Sequence, residues 1–480
     1  MPAYSVGAGL GRRLLVLSPA MVKPFSFFKL LLRDARMNTE VIYPWQLPSI
    51  MRKHIITGAM GTIYFVLVVS MYLVPFGTKI EIQYWQWGLL SAATSFVLVL
   101  QLLSAYLVSR TGNRRSLWFY AAFAGRLVRA FAIAGAFVLF GFSGSASRIV
   151  FLLLLVAASC FEAIGDPPWF SWLADIIPQK QHGRFWGRRN AWIALANLLV
   201  VVPIGYAMDR ASGDWAMTGL MVVFGFGLIL GMLDLFIHRT IPEPPMAMPP
   251  RRRFWHEVKM PLLDPNFRPW LVFNAFWTFS VMLGGSLATV YIMNDLKISN
   301  NYTGGSLVLI VLPLMLTILT GKLLGRMVDK AGVKRTLLWG YALWATIPLF
   351  WIPATPSTAM FWLGLSAVAT IGVTAGTTAS LKLITRQPPT GHVAMYVAVS
   401  TCTGALAGGF GPLIGGFVLQ ALKNTSWQIG GFTVIGFHVL FIASFVLRSC
   451  ALLAIGRIPE PVERVSLPAK NGVPSPVPTA

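Results

Sequence analysis

The chain contains long stretches without any charged side chain. Several are long enough for one membrane crossing each, namely residues 54–78, 82–109, 190–208, 215–233, 269–294, 298–321 and 424–447. A helix of about 20 residues spans the hydrocarbon of a bilayer, where every backbone N–H and C=O must be satisfied within the segment. The pattern therefore predicts an all-α membrane protein.

Proline and charge positions define the remaining crossings. The stretch 336–381 has no charge but is too long for one helix, and the segment Pro353–Pro356 interrupts it, so it is predicted to form two. Another apolar stretch follows Arg386. The last two crossings, within 116–147 and 149–177, are the third and fourth helices and alone carry charges in mid-span. The prediction is twelve transmembrane helices.

Composition supports this assignment and excludes other classes. The chain has 480 residues, 56% hydrophobic and 11% charged, with more apolar surface than a soluble core of that size can bury. Its net charge of +23 arises mostly in loops and tails on one side, which is typical of cytoplasmic segments beside anionic lipid rather than of a nucleic-acid surface. The three scattered cysteines predict neither a disulfide framework nor a metal site, and no cofactor is expected.

The predicted helices form two similar halves. Residues 105–115, after the second helix, read AYLVSRTGNRR, and residues 325–335, after the eighth, read GRMVDKAGVKR. The longest loop lies between the halves and combines prolines with three consecutive arginines, as expected for a polybasic cytoplasmic linker. The predicted organisation is a cytoplasmic tail, a six-helix bundle, a linker, a second bundle and a cytoplasmic tail, at 1–53, 54–238, 239–267, 268–456 and 457–480.

Four charged residues lie at membrane depth, Arg126 and Arg129 on the third helix and Glu162 and Asp166 on the fourth. Each such charge costs about 2.5–3.5 kcal/mol and usually faces a cavity or a partner. Their spacings place each pair on one helical face, so we predict that Arg126 meets Asp166 and Arg129 meets Glu162. The cluster would bind a polar solute group, carry a proton, or both. The alternative is a structural set of ion pairs that orients the two helices.

Two other polar residues are interpreted separately. Asn274, in the seventh helix, is a further candidate for the solute or proton pathway, although single polar residues more often bond between helices. Asp234, five residues before Arg239, is interpreted as interfacial.

The repeated loop resembles the signature of the major facilitator superfamily, usually written G-x-L-A-D-R-x-G-R-R. The second copy matches it best, and the first has Ala105 for Gly and Ser109 for Asp. The matching positions considered for the gate are Arg110, Gly112, Arg114, Gly325, Asp329, Lys330 and Gly332. The resemblance covers roughly residues 50–456 and implies a bacterial-type member of unknown subfamily, folded as two pseudo-symmetric six-helix bundles.

The family's acidic and basic signature residues latch the cytoplasmic gate against a neighbouring helix end. The resemblance therefore implies that Asp329 latches the C-terminal half. In the N-terminal half, which lacks the acidic residue at Ser109, Arg110 is expected to act with Asp175 at the end of the fourth helix.

The resemblance implies a secondary transporter of the cell membrane that moves a small organic solute by alternating access, working as a single chain among lipids, with protons as a candidate coupling ion. The alternative is a protein on the same scaffold without transport, such as an assembly factor, a sensor or a lipid-handling protein. An enzyme is not expected, because Gly-x-Ser-x-Gly, His-Glu-x-x-His and P-loop motifs are absent from the sequence. A channel is not expected either, because it would need a pore-lining ring or a filter loop and the sequence contains neither.

Overall fold

The structure is a computed structural model that describes residues 42–135, 144–177, 182–211, 215–244, 254–388, 393–430 and 432–460. Within these ranges, eleven helices are long and apolar enough to cross a membrane. One further crossing consists of two short helices end to end, Val333–Ala345 and Ile347–Trp351. This crossing breaks at Thr346 because Pro348 lacks the N–H that would bond one turn back. The prediction of twelve transmembrane helices is confirmed.

The crossing helices are numbered here in chain order. Helices 1 to 6 are Pro44–Lys79, Tyr84–Val97 continued by Leu100–Thr111, Arg114–Gly135, Ser145–Ile176, His182–Arg210 and Trp215–Arg239. Helices 7 to 12 are Arg268–Asp295, Tyr302–Ser306 continued by Leu307–Val311 and Leu312–Ala331, the broken helix already given, Ala359–Arg386, Val393–Ala421 and Gly436–Ile455.

The start of helix 1 and the linker differ from the sequence prediction. Helix 1 begins at Pro44 rather than at 54, since Lys53 is accommodated within it by a 2.8 Å hydrogen bond from its Nζ to Thr240 Oγ1. The linker contains a further helix, Phe254–Leu263, which the sequence did not predict. Its Phe254 ring lies 5.5 Å from the ring of Tyr106 on helix 2, so this linker helix contacts the N-terminal half.

The predicted helix over 424–447 is wrong in its position. Strand β1, Ser426–Ile429, pairs antiparallel with β2, Phe432–Ile435, and helix 12 begins only at Gly436. The turn includes Gly430 with φ +57°, a conformation that favours glycine, and β-branched residues occupy the strands. Helix 12 then runs past Arg448, because that side chain is buried in protein instead of ending the span at a membrane surface.

The two ends of the molecule differ in how the halves meet. We call the end with residues 110–115 and 330–335 the basic end, and the end with 80–83 and 295–301 the opposite end. At the opposite end one continuous apolar core joins both halves, from Leu67 and Phe76 to Leu287 and Phe441. Near the basic end each half has its own core, around Trp172 in one and around Trp277 in the other.

Direct polar contacts between the halves occur at the opposite end. Asp209, at the end of helix 5, accepts hydrogen bonds from the backbone N–H of Tyr302 and Thr303 and from the Thr303 hydroxyl. Thr78 Oγ1 donates to Asn294 Oδ1 over 3.1 Å. We call this set of contacts between the halves the seam.

Small residues allow helix 2 and helix 11 to approach closely beside the seam. A Cβ added at Gly88 would lie 2.8 Å from the Cα of Gly416, closer than side chains permit. The halves are therefore packed together at the opposite end.

Candidate functional site

An ion pair joins helix 3 to helix 4 at membrane depth. Arg129 Nη2 lies 2.6 Å from Glu162 Oε2 and its Nε 3.3 Å from Glu162 Oε1, so the guanidinium grips both carboxylate oxygens. Tyr64 of helix 1 donates its hydroxyl to the same Oε1 over 3.3 Å. Arg129 is only 2% exposed. The predicted contact between Arg129 and Glu162 is present, and it neutralises both charges.

The predicted contact between Arg126 and Asp166 is wrong. Arg126 instead places Nη2 2.7 Å from Asp234 Oδ2 on helix 6 and donates to the carbonyl of Gly231. Three residues of an α-helix turn about 60° short of a full circle, so Arg126 and Arg129 diverge toward different neighbouring helices. The interpretation of Asp234 as interfacial is also wrong, since it is buried at 4% exposure and carries an ion pair.

Asp166 is left exposed on helix 4. Its contact is a long hydrogen bond of 3.5 Å from Gln101 Nε2 of helix 2, and no Lys or Arg of the described residues forms an ion pair with it. Two prolines follow Asp166 inside the helix. Because Pro168 has no N–H, it frees the carbonyl of Ile164, and Ser104 Oγ donates to that carbonyl over 2.6 Å. A neighbouring helix thus satisfies the interrupted backbone.

A buried histidine pair extends the Arg126–Asp234 contact. His238 Nδ1 lies 3.1 Å from Asp234 Oδ1, and His238 Nε2 accepts from Trp169 Nε1 of helix 4 over 3.1 Å. His54 of helix 1 places Nδ1 3.1 Å from the same Nε2. These contacts tie helices 1, 3, 4 and 6 together near the basic end. They were not predicted from the sequence, although the four-residue spacing of Asp234 and His238 on one helix was a usable signal.

In the gate motif of the N-terminal half, Arg114 pairs with Asp175. Arg114 is fully buried, and its Nη1 pairs with Asp175 while its Nη2 donates to the Pro244 carbonyl over 2.9 Å. Gly112, at φ +67°, ends helix 2 and reverses the chain so that helix 3 can begin at Arg114. The side chain of Arg110 lies outside what the structure describes.

Glu243 is a further member of this motif. Its Oε1 accepts from the backbone N–H of Arg114 over 2.7 Å, which caps helix 3, and lies 3.5 Å from the Arg114 Nε. A carboxylate from the segment after helix 6 therefore holds both the start of helix 3 and its buried arginine.

The C-terminal half repeats the cap. Glu460 Oε1 accepts from the backbone N–H of Lys334 over 3.0 Å, beside Gly332 at φ +87°. Both glutamates lie in the sequence Ile-Pro-Glu-Pro, which begins at 241 and again at 458, a repeat that the sequence analysis overlooked. Of the remaining gate positions, Gly325 lies on helix 8 and Lys330 is exposed near its end. The side chain of Asp329 is outside the described residues.

The two caps predict unequal losses of stability. Glu460→Ala removes a helix cap and is expected to lower the free energy of unfolding by about 1 kcal/mol. Glu243→Ala removes the same cap and also a carboxylate beside a buried guanidinium, so the loss is expected to reach about 2–3 kcal/mol. Unfolding in mixed detergent micelles measures both. Equal losses would contradict a charge role for Glu243 toward Arg114.

Asn274 lies within the C-terminal half, away from the helix 3 and helix 4 charges. Its Nδ2 donates to the Ser400 carbonyl of helix 11 over 2.9 Å. A Cβ added at Gly404 would meet that Nδ2 at 2.7 Å, so the glycine admits the amide between the helices. Asn274 thus bridges helix 7 and helix 11.

Arg448, which the sequence analysis took for the end of a span, is a buried cation of the C-terminal half. Its guanidinium donates to the carbonyls of Trp344 and Val281, each over 3.3 Å. The Trp344 carbonyl is free because Pro348, four residues later, has no N–H. In the part of the chain that the structure describes, no carboxylate pairs with Arg448. Arg448 therefore satisfies a backbone carbonyl that the break in helix 9 leaves without a helical partner.

Comparisons with known proteins show a family resemblance over part of the chain and a shared fold over most of it. Residues 270–478 match the model of the Major Facilitator Superfamily. No curated protein sequence matches the chain significantly. Solved structures share the fold over most of the chain. A mutant of the nucleoside transporter NupG has a TM-score of 0.62 at 10% identity, covering 85% of this chain and 99% of its own.

Two further structures agree. The xylose transporter XylE from E. coli, partially occluded and inward open, has a TM-score of 0.60 at 16% identity, with 86% of this chain and 98% of its own covered. An inward-facing bacterial homologue of the iron transporter ferroportin has 0.59 at 13%, with 87% and 99% covered. The chain thus shares its fold with these three membrane transporters. It therefore resembles the Major Facilitator Superfamily over residues 270–478 and shares its fold with these transporters over most of its length.

Proposed function

We propose that the protein is a secondary transporter that moves a small organic solute across the cell membrane by alternating access. Transporters with two repeated bundles rock one bundle against the other around a site near the middle of the bilayer. The continuous core at the opposite end and the separate cores near the basic end support a conformation that opens toward the basic end.

The observation that carries the proposal is the charge balance on helix 4. Glu162 and Asp166 lie on one face, four residues apart, but among the described residues only Glu162 has an arginine partner. Asp166 lies about 15 Å along the helix from its end at Ile176, by the rise of an α-helix. An unpaired carboxylate at that depth is costly unless it serves a ligand. Asp166 is therefore the group that binds a proton or a donor group of the solute.

The Arg129–Glu162 pair gives the site a second state. When Asp166 is ionised, Arg129, Glu162 and Asp166 carry one net negative charge. When a proton or a cationic solute group binds to Asp166, the charges balance. The movements of proton and solute would then be coupled in one of two ways. Either the two compete for the Asp166 carboxylate, or the binding of one neutralises the carboxylate and so allows the other to bind. Gln101 supplies an amide beside it.

The orientation follows from charge. Lys and Arg favour cytoplasmic loops, so the basic end faces the cytoplasm, together with both termini and the linker. The opposite end then faces outward. The linker helix, with its exposed Trp255, lies where lipid headgroups are accessible.

The experiment that tests transport begins with purified protein and a solute panel. Thermal unfolding is measured with nucleosides, pentoses and divalent metal ions, the classes named for structures of similar fold, and then with amines and carboxylates. A solute that raises the unfolding temperature is tested for uptake into liposomes with an imposed pH gradient. Solute-dependent uptake is expected. If every class fails in both measurements, the scaffold without transport becomes the better account.

A further inference from the structure

Asp295 is a half-buried carboxylate in the seam. It ends helix 7, next to Asn294, which accepts the Thr78 hydroxyl hydrogen bond from the other half. Its Oδ2 is inaccessible to solvent and has no hydrogen-bond partner. An ionised carboxylate in that position would lose its hydration and gain no cation or donor at Oδ2 in return.

Asp209, the other carboxylate of the seam, differs from Asp295 because hydrogen-bond donors surround it. It accepts from two backbone N–H groups and one hydroxyl at the start of helix 8. Those N–H groups would have no partner within the helix, and the helix start favours negative charge. Closing the seam therefore gives the Asp209 carboxylate three hydrogen-bond donors, whereas it strips water from Asp295 Oδ2.

We propose that Asp295 is a proton-binding site of the seam, protonated while the opposite end is closed and ionised when that end opens to water. The proton comes from the water at the opposite end, forms an O–H bond on Oδ2, and returns to the same water on opening. The inference rests on the proposed rocking of the two halves, but not on the identity of the solute.

Two tyrosines lie near Asp295. Tyr84 of helix 2 and Tyr291 of its own helix are within electrostatic range, and both phenols are neutral near neutral pH. The Tyr291 hydroxyl lies 3.4 Å from His438 Nε2 of helix 12. Lys297, two residues further along the chain, is exposed, and Lys423 Nζ donates to Gln83 Oε1 over 3.3 Å.

Linkage fixes the sign of the effect. Because the closed state holds one proton more than the open state, the ratio of closed to open molecules rises as pH falls, by at most tenfold per pH unit. Asp295→Asn, which mimics the neutral acid, is expected to keep the end closed with no pH slope. Asp209→Asn is the matched control. It is expected to shift the ratio toward open at every pH and to retain the slope.

Pulsed spin-label distance measurements read this ratio directly. Labels are placed on cysteines at Trp215 and Ile429, which are 73% and 65% exposed on the two halves at the opposite end, in a chain without native cysteines. Full-length protein in nanodiscs is measured from pH 5 to 8. If Asp295→Asn fails to fold, Asp295→Ala tests the same loss of slope.

Three outcomes decide the matter. A wild-type slope that disappears in the Asp295 variant and persists in Asp209→Asn is the expected result. Two distances with a slope unchanged by Asp295→Asn would overturn the proton assignment while leaving the rocking intact. A single closed distance in every variant, Asp209→Asn included, would overturn the rocking and the assignment together.

Discussion

Asp166→Asn is expected to abolish gradient-driven solute accumulation and to leave folding intact. The carboxylate is exposed and has one long hydrogen bond, so its loss should change the free energy of unfolding by no more than about 0.5 kcal/mol. The amide keeps the shape but neither binds a proton nor offers a negative charge. Accumulation is therefore expected to fall by about tenfold or more, the equivalent of about 1.4 kcal/mol in coupling. Uptake into liposomes under a pH gradient measures it.

Two other carboxylates serve as controls for this result. Glu81, exposed and paired with Arg148 at the opposite end, provides Glu81→Gln, which should leave uptake and stability unchanged. Glu162→Gln should lower both, since it leaves the buried Arg129 without its carboxylate. Wild-type accumulation by Asp166→Asn would remove Asp166 from the mechanism.

Asp234→Asn is expected to lower the free energy of unfolding by about 3–5 kcal/mol, the loss typical of breaking a buried ion pair from one side. Arg126 would keep its charge without a carboxylate, and His238 would lose the acceptor for its Nδ1. Unfolding in mixed detergent micelles measures the loss.

The matched test removes both charges. Arg126→Leu alone should be destabilising by a similar amount, whereas Arg126→Leu combined with Asp234→Leu should recover much of the loss, because no buried charge is then unpaired. If Asp234→Asn cost less than about 1 kcal/mol, in the range of an exposed pair, the buried ion pair would not be a main support of the N-terminal half.

The sequence predicted the number of crossings because lipid imposes a simple condition on each span. It misplaced the start of helix 12, where uncharged strand residues between 426 and 435 look like the start of an apolar helix. Charge alone does not distinguish a hairpin outside the membrane from a span within it. The β-branched residues around Gly430 and Gly431 were the available signal.

The charge cluster was predicted in composition and only partly in pairing. Depth along the helices correctly matched Arg129 with Glu162. Arg126 points in a different direction around helix 3 and meets helix 6 instead. The sequence does not show which helix lies on each side of helix 3. The same difficulty hid Arg448. Its partners are two backbone carbonyls, so no complementary residue marks it in the sequence.

The two glutamate caps could have been found from sequence, since Ile-Pro-Glu-Pro follows both helix 6 and helix 12. The repeat is short, and its role depends on the chain returning to the start of helix 3 or helix 9, which only the fold reveals. The gate pairing of Arg114 with Asp175 depends likewise on the turn at Gly112.

A disulfide across the seam tests most directly whether the halves separate during transport. Thr78 and Asn294, which share a hydrogen bond between the halves, are replaced by cysteines in a chain without Cys160, Cys402 and Cys450. Uptake of the solute found by the thermal panel is then compared in oxidised and reduced liposomes. Oxidation is predicted to stop uptake and reduction to restore it. Equal uptake by the fully cross-linked and the reduced protein would contradict transport by rocking of the two halves.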